Sequence, residues 1–136
     1  MMKQLIFLAL AIVCGVLIIR FYTGRLTAAA QEGWQHISQS VAKDRMDSGD
    51  PVVVLDVRTE EEFSEGHIPG AVCLPNETID EATAAAALPD KTAEILIYCR
   101  SGRRSAEAAG KLARLGYAKV SDFGGVNDWP YDLVAD

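Results

Sequence analysis

The sequence predicts an α/β fold with a mostly parallel sheet, because apolar strand-like runs alternate with helix-forming segments. Val52–Arg58 is a nearly continuous run of β-branched residues, which is typical of a strand buried on both faces. Ile95–Tyr98 is a second buried run, and Lys119–Phe123 is a third. At 136 residues without an internal repeat, the chain is expected to form one domain plus an appendage.

Capping and breaking signals define the elements of the first half of the domain. Ser38 is a suitable N-cap for a helix that ends near Met46. Thr59 and Glu62 form the pattern of a capping box, and Gly66 ends the short helix that begins there. Two further short strands are predicted at Trp34–Ile37 and Ala71–Leu74.

The second half of the domain contains two more predicted helices. Ile79–Leu88 is rich in alanine and is ended by Pro89. Ser105 to Leu115 is predicted as a helix with Ser105 as its N-cap and Gly116 as its C′ residue. Gly124-Gly125 is interpreted as a turn after the last strand.

The N-terminal segment predicts a membrane anchor over residues 1–22. Leu5–Ile19 is an unbroken apolar run of 15 residues, which as a helix spans about 22 Å and is short for a bilayer core of about 30 Å. A cleaved signal peptide is the alternative, with Ala28–Ala30 as a small-residue site, and a buried globular helix is a third. The small-residue site lies far beyond the apolar run, which favours the anchor. Residues 23–33 then form a linker, and residues 34–136 form the domain.

The charges around the apolar run do not fix its orientation. Lys3 lies on one side and Arg20 and Arg25 on the other, so the positive-inside rule nearly ties. Because a signal anchor and a cleaved signal both place the downstream domain outside the cytoplasm, we expect an extracytoplasmic domain, either membrane-anchored or exported. The net charge of −6 argues against nucleic acid as a partner.

The candidate chemical site is a cysteine at the end of a predicted strand. Cys99 ends the second buried run, at the edge where open parallel sheets bind ligands. A helix N-terminus and nearby guanidinium groups both favour the thiolate, which is the nucleophilic form. Arg100, Arg103 and Arg104 make the loop cationic on an acidic chain, and Gly102 allows backbone conformations that a Cβ disfavours. The pattern indicates a reactive cysteine in an anion-binding loop.

The remaining polar and thiol residues have structural interpretations that compete with functional ones. Asp56 lies near the end of a buried strand, so it is a structural brace or a site residue, and the brace is favoured. His67 could act as a base but is better explained by hydrogen bonds that hold its turn. Cys73 is interpreted as a core residue rather than a resolving thiol. Without a C-x-x-C motif or metal-ligand spacing, neither dithiol chemistry nor a metal site is expected.

Four motifs occur in the order and spacing of a known family. They are Leu55-Asp56-Val57-Arg58, Glu65-Gly66-His67-Ile68-Pro69-Gly70-Ala71, Cys99-Arg100-Ser101-Gly102-Arg103-Arg104-Ser105, and Gly124-Gly125-Val126-Asn127-Asp128-Trp129. On these motifs the sequence resembles a single-domain rhodanese, a sulfurtransferase, from about Ser38 to the end. A leader followed by one such domain looks like the small exported or membrane-tethered bacterial rhodaneses.

The resemblance implies a three-layer fold with a five-stranded parallel sheet flanked by helices. It implies that Cys99 takes a sulfane sulfur from a small anionic donor, typically thiosulfate, and passes it to cyanide or a thiol without a cofactor. The implied substrate-binding residues are Arg100, Ser101, Gly102, Arg103, Arg104 and Ser105. In this family pattern the loop N–H groups surround the outer sulfur, and Arg100 and Arg104 attract the donor. The implied supporting residues are Asp56, Arg58 and His67.

Three other functions compete with sulfur transfer. Cysteine phosphatases and arsenate reductases need Cys-x5-Arg, but Ser105 stands six positions after Cys99 and Arg104 comes one position early. A non-catalytic rhodanese module would bind a partner or sense sulfur species at the membrane. A redox protein would use Cys73 with Cys99, and it requires their sulfur atoms to approach within bonding distance.

Overall fold

The computed structural model describes residue 14 and residues 33–135. The predicted anchor over residues 1–22 and the linker over 23–33 therefore lie outside the described residues, apart from positions 14 and 33. The anchor, the signal-peptide alternative and the extracytoplasmic location stay predictions. Within the described part of the chain, no helix has the length and apolar character needed to cross a membrane.

The domain is built on a single sheet of five strands, all of them parallel to their neighbours. In chain order the strands are β1 Trp34–His36, β2 Val52–Asp56, β3 Val72–Cys73, β4 Glu94–Cys99 and β5 Lys119–Gly125. Their order across the sheet is β1-β5-β4-β2-β3. This confirms the predicted α/β class and parallel sheet, and it places β4, which ends at Cys99, in the centre.

Within residues 33–135, four α-helices and one short 3₁₀ turn lie between the strands, and a second 3₁₀ turn follows β5. They are α1 Gln39–Asp47, α2 Glu60–Glu65, α3 Glu81–Ala87, α4 Arg103–Arg114, and the 3₁₀ turns Asn76–Thr78 and Val126–Asp128. The predicted N-cap Ser38 accepts a hydrogen bond from Val41 N, and the capping box of Thr59 and Glu62 is fully formed. Gly116 follows α4 with φ of +94°, which confirms its role as the C′ residue.

The core lies in two layers, one on each face of the sheet. One layer joins strand residues to α3 and α4, and it contains Leu55, Ile95, Ile97, Val120, Ala84, Ala108 and Leu112. The other joins the alternate strand residues to α1 and the C-terminal region, and it contains Val54, Leu96, Tyr98, Phe123, Ala42, Ile68 and Trp129. Burial on both faces explains why the central strands appear in the sequence as continuous apolar runs.

The start of α4 corrects one prediction. Ser105 is not the N-cap, because α4 begins at Arg103 and is capped by Gly102 in the left-handed conformation, with φ of +109°. Only glycine adopts that conformation without strain, so the backbone turns into the helix earlier than the serine signal suggested. Ser105 instead lies in the first turn of α4 and is fully buried.

Two further element boundaries differ from the prediction. Gly124-Gly125 is not a turn, because β5 continues to Gly125 with a register shift beside the end of β4. The predicted helix Ile79–Leu88 is shorter and begins at Glu81, because Asp80 and Thr83 form a second capping box. The prediction placed the start of this helix at the first apolar residue rather than at its polar cap.

Candidate active site

Cys99 lies at the carboxyl end of the central strand, where its sulfur is held by the loop that comes next in the chain. The Gly102 N–H donates to Cys99 Sγ at 3.0 Å. The thiol in turn donates to Ser105 Oγ at 3.4 Å. Because the residue is only 1% exposed, these two contacts define the immediate surroundings of the sulfur. An N–H donor aimed at sulfur stabilises a negative charge there, as a thiolate or persulfide requires.

The loop after Cys99 is fastened to the end of β5. Asn127 N donates to Arg100 O at 3.1 Å. The Ser105 hydroxyl donates to Gly102 O at 3.0 Å and lies 3.4 Å from Gly124 O. Gly125 packs so closely under the loop that a Cβ there would lie 2.6 Å from Ser101 Cα. Gly124 and Gly125 therefore pack directly against the loop and support it. This contact explains why the two glycines occur in the fourth motif.

The same loop leads into the N-terminus of α4. The first backbone hydrogen bond of that helix runs from Ala106 N to Gly102 O. The N–H groups of residues 103–105 precede it and have no intrahelical partner, as at any helix start. These groups and the helix dipole favour negative charge close to Cys99.

The three loop arginines differ in how their charges are compensated. Arg104 forms a bidentate ion pair with Glu62, with N···O distances of 2.8 and 3.0 Å. Arg103 pairs with Glu107 of the same helix at 2.8 Å. Arg100 is exposed and has no carboxylate partner within the described residues. The uncompensated positive charge of the loop is therefore that of Arg100.

Glu62 lies at the candidate site, although the sequence pattern indicated it only as part of a helix cap. Its hydrogen bond to Arg104 is the main reason why the pKa of Glu62 falls to about 2, and the Thr59 N–H adds to this effect. Glu62 also raises the pKa of Arg104, and the charge of Cys99 raises it further to a smaller extent. Arg104 is thus close enough to Cys99 to interact with it electrostatically. No local sequence signal links positions 42 residues apart.

Asp56 and Arg58 form a buried ion pair beside the site. Asp56 is fully buried and accepts from Arg58 N at 2.9 Å and from Arg58 Nη2 at 2.6 Å. The same Nη2 donates to Gly66 O at 2.7 Å, which ties β2 to the end of α2. The favoured interpretation of Asp56 as a structural brace that accepts a backbone N–H agrees with these contacts. Arg58 donates the hydrogen bonds that hold the Asp56 carboxylate in place.

His67 lies in the turn after α2, where its ring and its backbone both form contacts. Its ring stacks on Phe63, with centroids 3.7 Å apart, and its Nδ1 hydrogen-bonds to Phe63 O at 2.9 Å. Its backbone N–H donates to Val134 O at 2.8 Å. These contacts agree with the interpretation that His67 holds the turn.

Cys73 is separated from Cys99 by a whole strand. Asp56 pairs with Cys73 on one side and with Tyr98 on the other, so β3 and β4 are two strand spacings apart, about 9–10 Å. Disulfide formation needs Cα atoms within about 7 Å, so the redox alternative does not fit this sheet. Burial is the main reason why the pKa of Cys73 rises to about 11, which keeps its thiol protonated. No group of potential metal ligands occurs among the residues that the structure describes.

A cleft of about 240 Å³ opens beside the loop. Its lining combines charged, polar and apolar side chains: Arg58, Glu62, Glu65, Arg100, Val126, Asn127 and Leu133, with the backbone of Gly66. It is large enough for a small anion or thiol, and Arg100 places positive charge at its wall.

Comparisons with known proteins place this architecture in a family. The profile of the rhodanese-like domain matches residues 38–131. The thiosulfate sulfurtransferase PspE of Escherichia coli K12 is 36% identical over 74 residues, which is 54% of this chain and 70% of that protein. The thiosulfate:glutathione sulfurtransferase of Saccharomyces cerevisiae is 36% identical over 89 residues, covering 57% of this chain and 64% of that protein.

A solved structure described as a rhodanese with anions from E. coli shows the same fold. It superposes with a TM-score of 0.58 at 31% identity, covering 63% of this chain and all of that one. The family match spans both the strand that carries Cys99 and the glycines that support its loop. The chain therefore belongs to the rhodanese-like domain family.

Proposed function

We propose that the protein is a sulfurtransferase that acts through a persulfide on Cys99. The best support for this proposal is the hydrogen bond that Cys99 Sγ accepts from the Gly102 N–H at the start of α4. The surroundings of the sulfur stabilise a negative charge without providing a dedicated general base. The bacterial and yeast relatives that are named as sulfurtransferases support the same reaction class.

The first half-reaction loads the cysteine from an anionic donor such as thiosulfate. The Cys99 thiolate attacks the outer sulfur, the sulfur–sulfur bond of thiosulfate breaks, and sulfite leaves with the electron pair. A persulfide anion remains on Cys99. Arg100 attracts the donor, and the N–H groups of the loop and helix start stabilise the new terminal sulfur.

The second half-reaction unloads the sulfur to a nucleophile. Cyanide or a thiolate attacks the outer sulfur, the persulfide bond breaks, and the Cys99 thiolate leaves with the electron pair. The products are thiocyanate or a new persulfide on the acceptor. Both half-reactions balance without an oxidant or a reductant.

An intact-mass measurement tests this function. The protein is incubated with thiosulfate and desalted, and its intact mass is measured by mass spectrometry. We expect the mass to increase by that of one sulfur atom, which cyanide then removes. Cys99→Ser should gain none, whereas the matched thiol variant Cys73→Ser should load like the wild type. Sulfur uptake that persists in Cys99→Ser would overturn the assignment to Cys99.

Partner binding or sulfur sensing is the second candidate function, and it is favoured by the burial of Cys99 at 1% exposure. A sulfur atom that is shielded from solvent suits a module that binds a partner without turnover. Turnover separates the two functions, because such a module would not transfer sulfur from thiosulfate to cyanide or a thiol.

We also propose that residues 1–22 hold the domain at a membrane, on the extracytoplasmic side. The support is the apolar run Leu5–Ile19 in the sequence. Protease added to intact cells should then digest the domain. Digestion only after lysis would contradict the proposed side.

A further inference from the structure

Most charged side chains around the loop form ion pairs. In one of these pairs the carboxylate belongs to a different helix from the arginine. Arg103 pairs within α4, and Arg58 pairs with Asp56 near the end of β2. Arg104 instead pairs with Glu62, which belongs to α2 and lies 42 residues earlier in the chain. A carboxylate within α4 could also have compensated the charge of Arg104. The position of Glu62 in a different helix therefore needs an explanation.

The geometry of Glu62 holds its carboxylate in one place. Its Oε2 accepts from Thr59 N at 3.0 Å within the capping box and from Arg104 Nη1 at 2.8 Å. Its Oε1 accepts from Arg104 Nη2 at 3.0 Å. The side chains of Glu62 and Arg104 are 23% and 16% exposed, so solvent screens their interaction only in part. The pair is therefore a fixed feature of the site rather than a transient surface contact.

Glu62 of this ion pair also lines the cleft beside the loop. Glu62 and Arg100 line the same cleft, with opposite charges. A thiolate at Cys99 would interact with the Arg104 charge, because it raises the pKa of Arg104. An anion that enters the cleft therefore meets the positive charge of Arg100 and the negative charge of Glu62, whose partner is Arg104. The carboxylate limits how strongly the loop attracts anions.

We propose that Glu62 is a specificity-determining residue, which sets the preference of the site between anionic and neutral sulfur donors by compensating the charge of Arg104. This inference builds on the proposed sulfur transfer. It assigns Glu62 an electrostatic role toward the substrate in addition to its role as a helix cap. Removing its charge should strengthen the preference for anions such as thiosulfate.

Alkylation of Cys99 measures this preference without sulfur transfer. Iodoacetate and iodoacetamide are similar in size, but only iodoacetate carries a negative charge. The ratio of their rates at Cys99, read by peptide mass spectrometry, reports the local charge, while the burial and thiolate fraction of Cys99 affect both reagents alike. We expect Glu62→Gln to raise the iodoacetate-to-iodoacetamide ratio by about fivefold, as for the loss of one partly screened charge near the sulfur.

Three variants separate the electrostatic role from a structural one. Glu61→Gln removes the same charge one position earlier in α2, where the side chain is exposed, and it should leave the ratio unchanged. Glu62→Asp keeps the charge and should keep the ratio close to that of the wild type. Arg104→Gln leaves Glu62 uncompensated and should lower the ratio. This opposite shift tests the proposal even if Glu62→Gln folds poorly.

The outcomes are decisive in either direction. Equal ratios for Glu62→Gln and Glu61→Gln, or a lower ratio in Glu62→Gln, would overturn the proposal. In turnover with thiosulfate, Glu62→Gln should lower KM with little change in kcat. A fall in kcat alone would identify Glu62 as a structural support of the loop. Failure of the wild type to take up sulfur would refute the proposed function while leaving the alkylation result valid.

Discussion

At the scale of single residues, the site depends on one buried hydroxyl as much as on the thiol. Ser105 is fully buried, and its hydroxyl lies within hydrogen-bonding distance of Cys99 Sγ and of two carbonyl oxygens. One of these carbonyls belongs to Gly102 at the start of α4, and the other to Gly124 of β5. The hydroxyl oxygen of Ser105 therefore contacts the end of β4 at Cys99, the start of α4 at Gly102 and β5 at Gly124.

Replacing this hydroxyl should weaken both the fold and the reaction. In Ser105→Ala, the partly buried carbonyl of Gly102 loses the hydroxyl donor and the buried Cys99 thiol loses its acceptor, so we expect the free energy of unfolding to fall by about 1–2 kcal/mol. Chemical denaturation measures this change. Ser101→Ala is the matched control, because Ser101 is exposed in the same loop. Equal effects of the two variants would refute the role of Ser105.

At the scale of elements, α2 is short but carries much of the support for the site. Its capping box fixes Glu62 against Arg104, and its C-terminal Gly66 O accepts from Arg58. The turn after it is held by the stacking of His67 on Phe63. A helix of six residues has little stability by itself, so these contacts must stabilise it in the folded protein.

The link between α2 and α4 predicts a pH dependence of stability. In the folded protein the pKa of Glu62 lies at about 2, below its ordinary value of 4.5. A lowered pKa stabilises the fold above the ordinary value, and this stabilisation is lost as pH falls from 4.5 toward 2. The wild type should therefore lose about 1–3 kcal/mol more of its unfolding free energy over this range than Glu62→Gln does.

Denaturant unfolding at several pH values between 2 and 7 measures this difference. Glu61→Gln serves as the control and should follow the wild type, because no ion pair of its side chain exists within the described residues. Parallel pH profiles of the wild type and Glu62→Gln would show that the ion pair contributes nothing to stability.

At the scale of the whole molecule, the proposed function requires an acidic chain to attract an anionic donor. The net charge is −6, so the overall charge opposes the approach of thiosulfate. Only the local field of the loop favours it, and Arg100 is the loop cation without a carboxylate partner among the residues described. Local charge should therefore control donor binding.

The prediction compares two arginines that contribute equally to the net charge. Arg100→Gln should raise KM for thiosulfate by about three- to tenfold, and should reduce its dependence on ionic strength. Arg114→Gln, an exposed position at the end of α4, should leave KM unchanged. Steady-state kinetics at low and high salt measure both effects. Equal shifts in the two variants would show that net charge, rather than the loop, controls binding.

The apolar runs and motifs of the sequence predict the class of fold, the strand that ends at Cys99 and Cys99 as the candidate nucleophile. Val52–Arg58 and Ile95–Tyr98 had to be buried on both faces, because their apolar residues are continuous, and burial of that kind requires layers on both sides of a sheet. The caps at Ser38 and Thr59 were predictable because their hydrogen bonds join residues only three positions apart. The resemblance to rhodaneses then predicts that Cys99 is the residue that carries the sulfur.

The support of the loop and the compensation of its charges follow instead from packing between segments that are distant in the sequence. The start of α4 at Arg103 depends on the left-handed backbone at Gly102, and the strand character of Gly125 depends on its contact with the loop. The pairing of Arg104 with Glu62 joins residues far apart in the chain. Such contacts arise when distant segments are packed together, so no pattern of neighbouring residues encodes them, and they distinguish Arg100 from the other arginines beside Cys99.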